Sequence, residues 1–244
     1  MPALRPLGQR YLLERELGRS NVAIDHLARD TQRDREVVVK VIGEHPDRDQ
    51  LAAALAGEAE LLGRLDLAGI APMLDFGRDG ELLFVVTPVV QGQSLRELLA
   101  VGPLPISLIA ELGRQIALTL AKAHAANVIH RNLEPDNLLL QSDNGGLQVV
   151  ILNYGIASVL ASEQARLPKA PLIGTPHYLA PEQIRGSSGD ARSDLYAVGV
   201  MLYELVNGRP PFDHETQQAV LTAQLTERPP PLALPAPGRL EAVL

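Results

Sequence analysis

The sequence predicts an α+β protein in which a small β-rich lobe precedes a larger helical lobe. Two observations support this prediction: the first ninety residues resemble short strands around one helix, and the chain turns mostly helical beyond Gly92. The 244 residues are enough for one large domain or two lobes, and 46% of them are apolar, so we expect a buried core. A mean hydropathy of +0.04 is typical of a folded chain.

Two strands and one helix define the small lobe. The run Arg35–Ile42 is rich in β-branched residues, and Glu81–Val86 forms a second strand, with Gly77 and Gly80 breaking the pattern before it. A helix from about residue 49 to residue 65 is predicted between these strands. It is indicated by leucines that recur on one face: Leu51, Leu55, Leu62 and Leu65.

Three helices are predicted in the larger lobe. Ser94 and Glu97 form a capping box at the start of the first helix, and the second runs from Ser107 to about Ala126. The third, Ser193–Asn207, ends at Gly208 and is apolar almost all round, which predicts a buried, central position.

The composition excludes several classes of function. Lys and Arg number 22 against 29 Asp and Glu, and a net charge of −7 argues against nucleic acid or an anionic membrane as a partner. Since there is no cysteine, disulfide scaffolds, thiolate zinc sites, iron–sulfur clusters and cysteine nucleophiles are excluded. No apolar run reaches the roughly 18–20 residues of a membrane span, so we expect no membrane contact within this segment and a cytoplasmic location.

Two charged residues lie where the pattern favours apolar ones. Lys40 shares its strand face with Val38 and Ile42, and Glu58 falls between Leu55 and Leu62 in the leucine row. Taken singly, Lys40 is an edge-strand lysine that reaches solvent and Glu58 a solvated helix residue. Taken together, a half-buried ammonium and carboxylate can neutralise one another.

Four motifs turn these residues into a family resemblance. They are VVVK at 37–40, HRNLEPDN at 130–137, NYG at 153–155 and APE at 180–182. In this order they resemble the V-A-I-K, H-R-D-x-K-P-x-N, D-F-G and A-P-E motifs of protein kinases. From Tyr11 to the C-terminus the chain resembles bacterial eukaryotic-like Ser/Thr protein kinases.

The resemblance implies the bilobal protein-kinase fold. We expect a lead-in over residues 1–10, a kinase-like small lobe over 11–90 and a helical lobe over 91–244. The family's C-terminal helices are expected to be missing or truncated, since residues 238–244 begin a helix that the chain does not finish.

Three departures from the family pattern fall on residues that handle charge. Asn132 replaces the aspartate that accepts the proton of the substrate hydroxyl, and loss of general-base help typically costs about 10²–10⁴-fold in rate. Asn153 replaces the aspartate that binds Mg²⁺, so an amide oxygen stands where the metal prefers a carboxylate. Glu134 replaces a lysine that contacts the γ-phosphate in the family, which reverses the charge.

The phosphate-binding loop departs as well. Of the three glycines in the family's G-x-G-x-x-G-x-V motif only Gly18 remains, with Ser20 and Ala23 at the other two positions. Asp25 replaces the valine that covers the adenine, and Val38 replaces the small alanine of V-A-I-K. These changes all fall on one pocket.

Other residues keep the family's identity or position. The resemblance leaves a degenerate catalytic loop of His130, Arg131, Asn132 and Glu134, and two weakened metal positions, Asn137 and Asn153. Leu62, His130 and Tyr154 can still stack in an internal apolar column, and Asp194 is expected to hold the catalytic-loop backbone. The candidate nucleotide-binding residues are Gly18, Lys40, Glu58, Thr87, Val90 and Leu139.

The sequence therefore favours a catalytically inactive pseudokinase that acts as a scaffold or an allosteric regulator. Its partner would be a protein, either an active kinase or a second copy of this chain through the small lobe. No cofactor is expected, although ATP and Mg²⁺ stay open under two alternatives. These are a slow Ser/Thr kinase that transfers the ATP γ-phosphate, and a nucleotide sensor that works without metal.

Overall fold

The computed structural model of the chain describes residues 6–20, 23–43, 48–63, 68–102, 104–143, 146–156, 159 and 174–232. Within these ranges there are two β-sheets and six α-helices, which confirms the predicted α+β class. The larger sheet lies in the first ninety residues and most helices follow it, in the predicted order.

The small lobe is built on a five-stranded antiparallel sheet with the strand order β1–β2–β3–β5–β4. The prediction for residues 35–42 is confirmed in full. The strand predicted over 81–86 instead begins at Leu82, because Gly80, at φ +61°, and Glu81 form the turn before it. The strands are β1 Tyr11–Arg19, β2 Ala23–Asp30, β3 Arg35–Ile42, β4 Asp75–Asp79 and β5 Leu82–Pro88.

One helix, α1, spans Arg48–Gly63 between β3 and β4. Leu51, Leu55 and Leu62 are buried as the leucine spacing predicts, while Leu65 lies outside the described residues. Leu51 and Leu55 pack with Ile42 on one face of the sheet. This is the face of β3 that also carries Lys40, because alternate residues of a strand share a face.

The opposite face of the sheet is covered by the segment before β1. Leu7 packs there with Val37 and Val39. The guanidinium of Arg10 donates to both carboxylate oxygens of the fully buried Asp30, each at 2.7 Å. This pair ties the segment to the end of β2.

The larger lobe contains five helices and a three-stranded sheet within the described residues. The capping box of Ser94 and Glu97 is present as predicted. The helices are α2 Leu95–Val101, α3 Ile106–Ala125, α4 Pro181–Ile184, α5 Ala191–Asn207 and α6 Gln217–Thr226. The strands are β6 Gln93–Ser94, β7 Leu138–Asp143 and β8 Gly146–Ile151.

Helix α5 is central, as its apolar sequence predicts. It buries residues on every side and packs closely on α3, where a Cβ at Gly113 would lie 3.2 Å from Leu202. The helix begins two residues before the predicted start, because the Asp190 side chain accepts a hydrogen bond from the amide of Arg192 and caps the first turn. It ends at Gly208, whose φ of +73° suits glycine.

The two lobes meet at β8. Ile70, in the connection between α1 and β4, forms a parallel bridge with Ile151, and Leu62 of α1 belongs to the core of the larger lobe. In the described part of the chain, no helix combines the length and apolarity that crossing a membrane requires.

Candidate functional site

The segment that follows α3 is held by one buried carboxylate. Asp194, in the first turn of α5, accepts hydrogen bonds from the amides of His130 and Arg131 at 2.9 and 2.8 Å. Its Oδ2 also lies 2.8 Å from Nε2 of His124. The expectation that Asp194 holds this loop is confirmed, and the anchoring allows Arg131 to adopt a φ of +65°.

A column of buried side chains runs through the site. The rings of His130 and Tyr154 lie edge to face with centroids 4.9 Å apart, and Leu62 is in the same core cluster. Burial lowers the pKa of His130, which favours the neutral form of its ring. The predicted stacking of His130 and Tyr154 is therefore confirmed.

A chain of hydrogen bonds connects Asn132 with the two predicted metal positions, Asn137 and Asn153. Nδ2 of Asn137 donates to the main-chain carbonyl of Asn132 at 2.9 Å, so Oδ1 of Asn137 faces the other way. Nδ2 of Asn153 donates to this Oδ1 at 2.7 Å. The amide of Asn153 thus presents a donor to Asn137 at this contact.

Glu134 is connected to the chain on the far side of the site. One of its carboxylate oxygens accepts a hydrogen bond from the Thr175 hydroxyl at 2.6 Å, and the other lies 3.5 Å from Nδ2 of Asn132. Gly174 has a φ of +100°, and a Cβ there would overlap the Asn132 carboxamide. The carboxylate of Glu134 therefore lies beside Asn132, where the family carries a lysine.

Lys40 contacts a different carboxylate from the one predicted. Its Nζ lies 2.6 and 2.8 Å from the two carboxylate oxygens of Asp25. The expected pairing of Lys40 with Glu58 is wrong, since Asp25 is the carboxylate that Lys40 contacts among the described residues. The reason is the strand register, which places Asp25 directly opposite Lys40 on the same face of the β2–β3 pair.

Glu58 lies on α1, beside the segment that carries Tyr154. A Cβ added to Gly155 would lie 3.3 Å from Cβ of Glu58 and 2.8 Å from Leu62, so helix and segment are in close contact. Only glycine fits there, because the φ of Gly155 is also +80°.

The other candidate nucleotide-binding residues lie on several strands and on the segment after β5. Gly18 pairs with Asp25 between β1 and β2, and Thr87 pairs with Val38 between β3 and β5. Val90 follows the end of β5, and Leu139 lies on β7. Gly18 is thus paired with Asp25, the residue that contacts Lys40, and Thr87 with a residue two positions before Lys40.

The residues at the two candidate metal positions, Asn137 and Asn153, supply no carboxylate for magnesium. The described residues contain no group of three or more His, Asp or Glu side chains that could hold a metal ion. Of the two candidate metal positions, Asn153 donates to Asn137, and Lys40, a candidate nucleotide-binding residue, is paired with Asp25. Magnesium prefers anionic oxygen ligands, which neither asparagine supplies.

A second polar network, which was not predicted from the sequence, lies beside the site. Arg96 of α2 donates to the Tyr178 hydroxyl at 3.1 Å, and this hydroxyl donates to the buried Glu204 at 2.6 Å. Arg96 also contacts Asp136 at 3.2 Å. The available signal was Glu204, a charged residue within the apolar second half of α5.

Comparison with known proteins gives one family. Residues 11–234 match the model of the protein kinase domain. The chain is 36% identical over 235 residues to the serine/threonine-protein kinase pkn3 of Myxococcus xanthus, covering 93% of this chain and 43% of that protein.

Two further relatives are also named serine/threonine-protein kinases. The chain is 33% identical over 236 residues to the serine/threonine-protein kinase pkn2 of Myxococcus xanthus, covering 95% of this chain and 28% of that protein. It is 32% identical over 223 residues to the serine/threonine-protein kinase PrkC of Bacillus subtilis, covering 91% of this chain and 34% of that protein. The chain thus spans less than half the length of each of these three relatives.

Proposed function

The chain belongs to the protein kinase family, and we propose that it is a pseudokinase, which keeps the fold and does not transfer phosphate. Its function is to bind another protein, as a scaffold or as an allosteric regulator. The proposal concerns this kinase-like segment, which covers only part of the length of its relatives.

The observation that carries the proposal is the hydrogen bond from Asn153 to Asn137. These residues stand at the positions of the family's two metal ligands. In this chain they satisfy one another, with a donor from Asn153 directed at the oxygen that a metal would need. A cation would have to break this bond and would gain no carboxylate from either residue.

Two further changes oppose phosphate transfer. The amide of Asn132 cannot accept the proton of a substrate hydroxyl, and a general base typically contributes about 10²–10⁴-fold to the rate. The Glu134 carboxylate, held by Thr175, lies next to Asn132. Two like charges about 4 Å apart repel by roughly 4 kcal/mol at an effective dielectric constant of 20, so an incoming phosphate is disfavoured.

The family features that this chain retains are contacts that stabilise the fold around the site. Asp194 still anchors the loop, and His130 still stacks on Tyr154. A rigid fold with a disabled site suits a protein that is recognised by its surface. We propose as its partner another protein, either an active kinase or a second copy bound through the small lobe.

A slow Ser/Thr kinase is the second candidate function. It is favoured by the same anchoring, because positioning alone can lower a reaction barrier by several kcal/mol. Lys40, Glu58 and Asn137 also keep the family's residue types. Under this reading the ion pair of Lys40 with Asp25 opens before ATP binds.

The deciding experiment is a transfer assay with radiolabelled ATP and either Mg²⁺ or Mn²⁺. We expect no autophosphorylation by the wild-type chain and none with a generic acceptor protein. Autophosphorylation that disappears in Lys40→Ala would establish the slow kinase and overturn the proposal.

A variant that restores the family's residues tests whether the fold can still support phosphate transfer. Asn132→Asp, Asn153→Asp and Glu134→Lys together return the family's residues to the loop and the metal position. Activity that arises only in this triple variant would support a true pseudokinase, since the fold would then be competent and the substituted residues limiting. The separate effects of residues that act as one unit are not additive, so the triple variant is the informative one.

A further inference from the structure

Helix α5 is central in the larger lobe, but one strip along it is uncovered. Leu195 is 52% exposed, and a Cβ added to Gly199, one turn later, would meet no atom of the described residues within 4 Å. Val200 and Tyr203, beside this strip, are buried. A mostly enclosed apolar helix is therefore open on the side that carries Leu195 and Gly199.

The uncovered strip lines a cavity of about 540 Å³, the α5 groove. The groove is formed by one side of α5, by the end of α6 and by the segments that follow these helices. Its lining includes Leu195, Gly199, Tyr203, Phe212, Gln224 and residues 229–232. Among the described residues that line it, Glu227 is the only charged one. A groove with this lining suits apolar groups.

Two polar side chains at the α5 groove are already satisfied within the fold. The hydroxyl of Tyr196 donates to Oε1 of Gln224 at 2.7 Å, and Nε2 of Gln224 donates to the main-chain carbonyl of Pro176. A small-molecule site usually offers polar groups that orient its ligand. Because these groups are paired with one another, the groove favours the apolar side chains of a polypeptide over a polar small molecule.

The chain itself leads out of the described region at this groove. Leu232 lines the groove and packs against the core of the larger lobe, and residues 233–244 follow it outside the described ranges. From Leu232 to Leu240 an extended chain can span about 26 Å. The strip from Leu195 to Tyr203 is about 12 Å long, since a helix rises about 1.5 Å per residue. The segment can therefore reach the whole strip.

The sequence of this segment matches an apolar groove. Leu240, Val243 and Leu244 are spaced so that they would share one face of the helix that the sequence predicts over residues 238–244, and Ala242 would lie on the opposite face. A short helix with one apolar face is stabilised mainly by packing that face on another apolar surface. The α5 groove is such a surface, and it lies next to Leu232.

We infer that the side chains of Leu240, Val243 and Leu244 occupy the α5 groove, so that this chain covers its own central helix. A segment on a short tether has an effective concentration in the millimolar range, which a second copy at micromolar concentration does not reach. The inference goes beyond the proposed function and does not depend on it. It removes the α5 groove from the surfaces at which a partner protein could bind.

Disulfide formation in the full chain tests this contact, because the wild type has no cysteine. Gly199→Cys, where the new Cβ meets no described atom, is combined with Val243→Cys. Under mild oxidation we expect an intramolecular disulfide, detected by mass spectrometry and on a non-reducing gel. The matched control pairs Gly199→Cys with Ala242→Cys, one position away and on the opposite face. We expect the first pair to form its disulfide at least about tenfold faster than the control.

The other outcomes of this experiment contradict the inference. Disulfide-linked dimers in place of the intramolecular bond would assign the groove to a second copy. Equal rates in the two pairs would mean that the segment presents no fixed face to α5. No disulfide in either pair would mean that the segment does not lie in the groove.

Thiol labelling provides a second measurement with a single introduced cysteine. In the Gly199→Cys background, Leu240→Asp should accelerate the reaction of the thiol with a maleimide at least about tenfold, because a charged side chain does not remain in an apolar groove. Ala242→Asp adds the same charge on the opposite face and should leave the rate unchanged. Equal rates in the three chains would overturn the inference, and thermal melts of each variant would verify folding.

The inference and the proposed function fail separately. Neither the disulfide rates nor the labelling rates depend on phosphate transfer, so transfer by the wild-type chain would overturn only the proposed function. Absence of transfer, together with equal disulfide rates at positions 242 and 243, would overturn only the assignment of the α5 groove.

Discussion

The side-chain amide of Asn153 donates to Oδ1 of Asn137 over 2.7 Å, at the two positions where family members bind metal. The direction of this bond is determined by a third residue, because Nδ2 of Asn137 is already directed at the carbonyl of Asn132. The arrangement is complete without a cation. Replacing the donor with a carboxylate would therefore place two acceptor oxygens against each other, and a cation between them would relieve this contact.

The first prediction concerns the stability of Asn153→Asp with and without Mg²⁺. In Asn153→Asp, two oxygens that only accept hydrogen bonds face each other, so we expect the free energy of unfolding in EDTA to fall by about 1–3 kcal/mol. Millimolar Mg²⁺ should restore part of the loss, since the new carboxylate and Oδ1 of Asn137 can share the ion. Urea denaturation with and without Mg²⁺ measures both effects, and stability equal to the wild type in both buffers would contradict the prediction.

Asn127→Asp is the control for the chemical change. Asn127 has a φ of +59°, nearly that of Asn153 at +60°, and its side chain is exposed. The same substitution there should alter stability little and should produce no dependence on Mg²⁺. A matching response at both positions would indicate a general effect of charge.

The second prediction concerns the hydroxyl of Tyr154. It is buried, and it has no hydrogen-bond partner among the described residues. Because an unpaired buried polar group costs about 1–3 kcal/mol, we expect Tyr154→Phe to raise stability by about 1 kcal/mol, or the melting temperature by roughly 2–4 °C. Calorimetry measures this shift, and a lower melting temperature would contradict it.

Tyr178→Phe should have the opposite effect and lower stability. The Tyr178 hydroxyl is also buried, but it donates to Glu204 at 2.6 Å and accepts from Arg96 at 3.1 Å. Removing it leaves the buried Glu204 without this donor, at a cost of about 1–3 kcal/mol. The two tyrosines thus separate a paired from an unpaired hydroxyl in one experiment.

The sequence predicted those parts of the fold that depend on periodicity. Strand β3, the leucine face of α1 and the burial of α5 follow from the spacing of apolar residues. Ends of elements were less accurate because they depend on single contacts. The start of α5 is an example, since it is determined by the cap at Asp190.

The stacking of His130 on Tyr154 and the anchoring by Asp194 were predicted from the sequence, but the partner of Lys40 was not. Lys40 was expected beside Glu58 and contacts Asp25, since strand register decides which side chains are adjacent. The sequence contained the necessary information. Asp30 pairs with Arg35 at the turn, and Asp25 and Lys40 each lie five residues away from that turn on their own strands. Only a prediction of β2 together with its turn would have revealed it.

The third prediction concerns the anchor of the catalytic loop. Asp194→Asn replaces one accepting oxygen with a donor that faces the amide of His130 or Arg131 or the ring of His124. Hydrogen bonds to a buried charge contribute about 1.5–3 kcal/mol each, so we expect a loss of about 3 kcal/mol or more. Hydrogen exchange at the amides of His130 and Arg131 should also accelerate.

The comparison for this variant is Asp190→Asn. Asp190 caps the same helix four residues before Asp194, and among the described residues its hydrogen bonds in this turn are with Arg192 and Ser193. Its substitution should leave exchange at the amides of His130 and Arg131 unchanged. Equal acceleration in both variants would mean that the loop responds to the helix end in general and that Asp194 has no special role.

The fourth prediction concerns acid stability and Asp30. Hydrogen bonds from Arg10 and from the amides of Gln32 and Arg33 lower the pKa of Asp30 from 3.8 to about 2. A carboxyl whose pKa is depressed in the folded state stabilises the fold above its unfolded pKa, and this contribution is lost as the pH falls from about 4 to about 2. Its size is roughly 2 kcal/mol. We expect Arg10→Met to lower stability at pH 7 and to reduce the change of the unfolding free energy between pH 4 and pH 2, measured by urea denaturation at each pH.

Arg19→Met is the control, because it removes a solvent-exposed pair with Glu16. It should keep the wild-type dependence of the unfolding free energy on pH. An unchanged dependence in Arg10→Met would refute the assignment to Asp30.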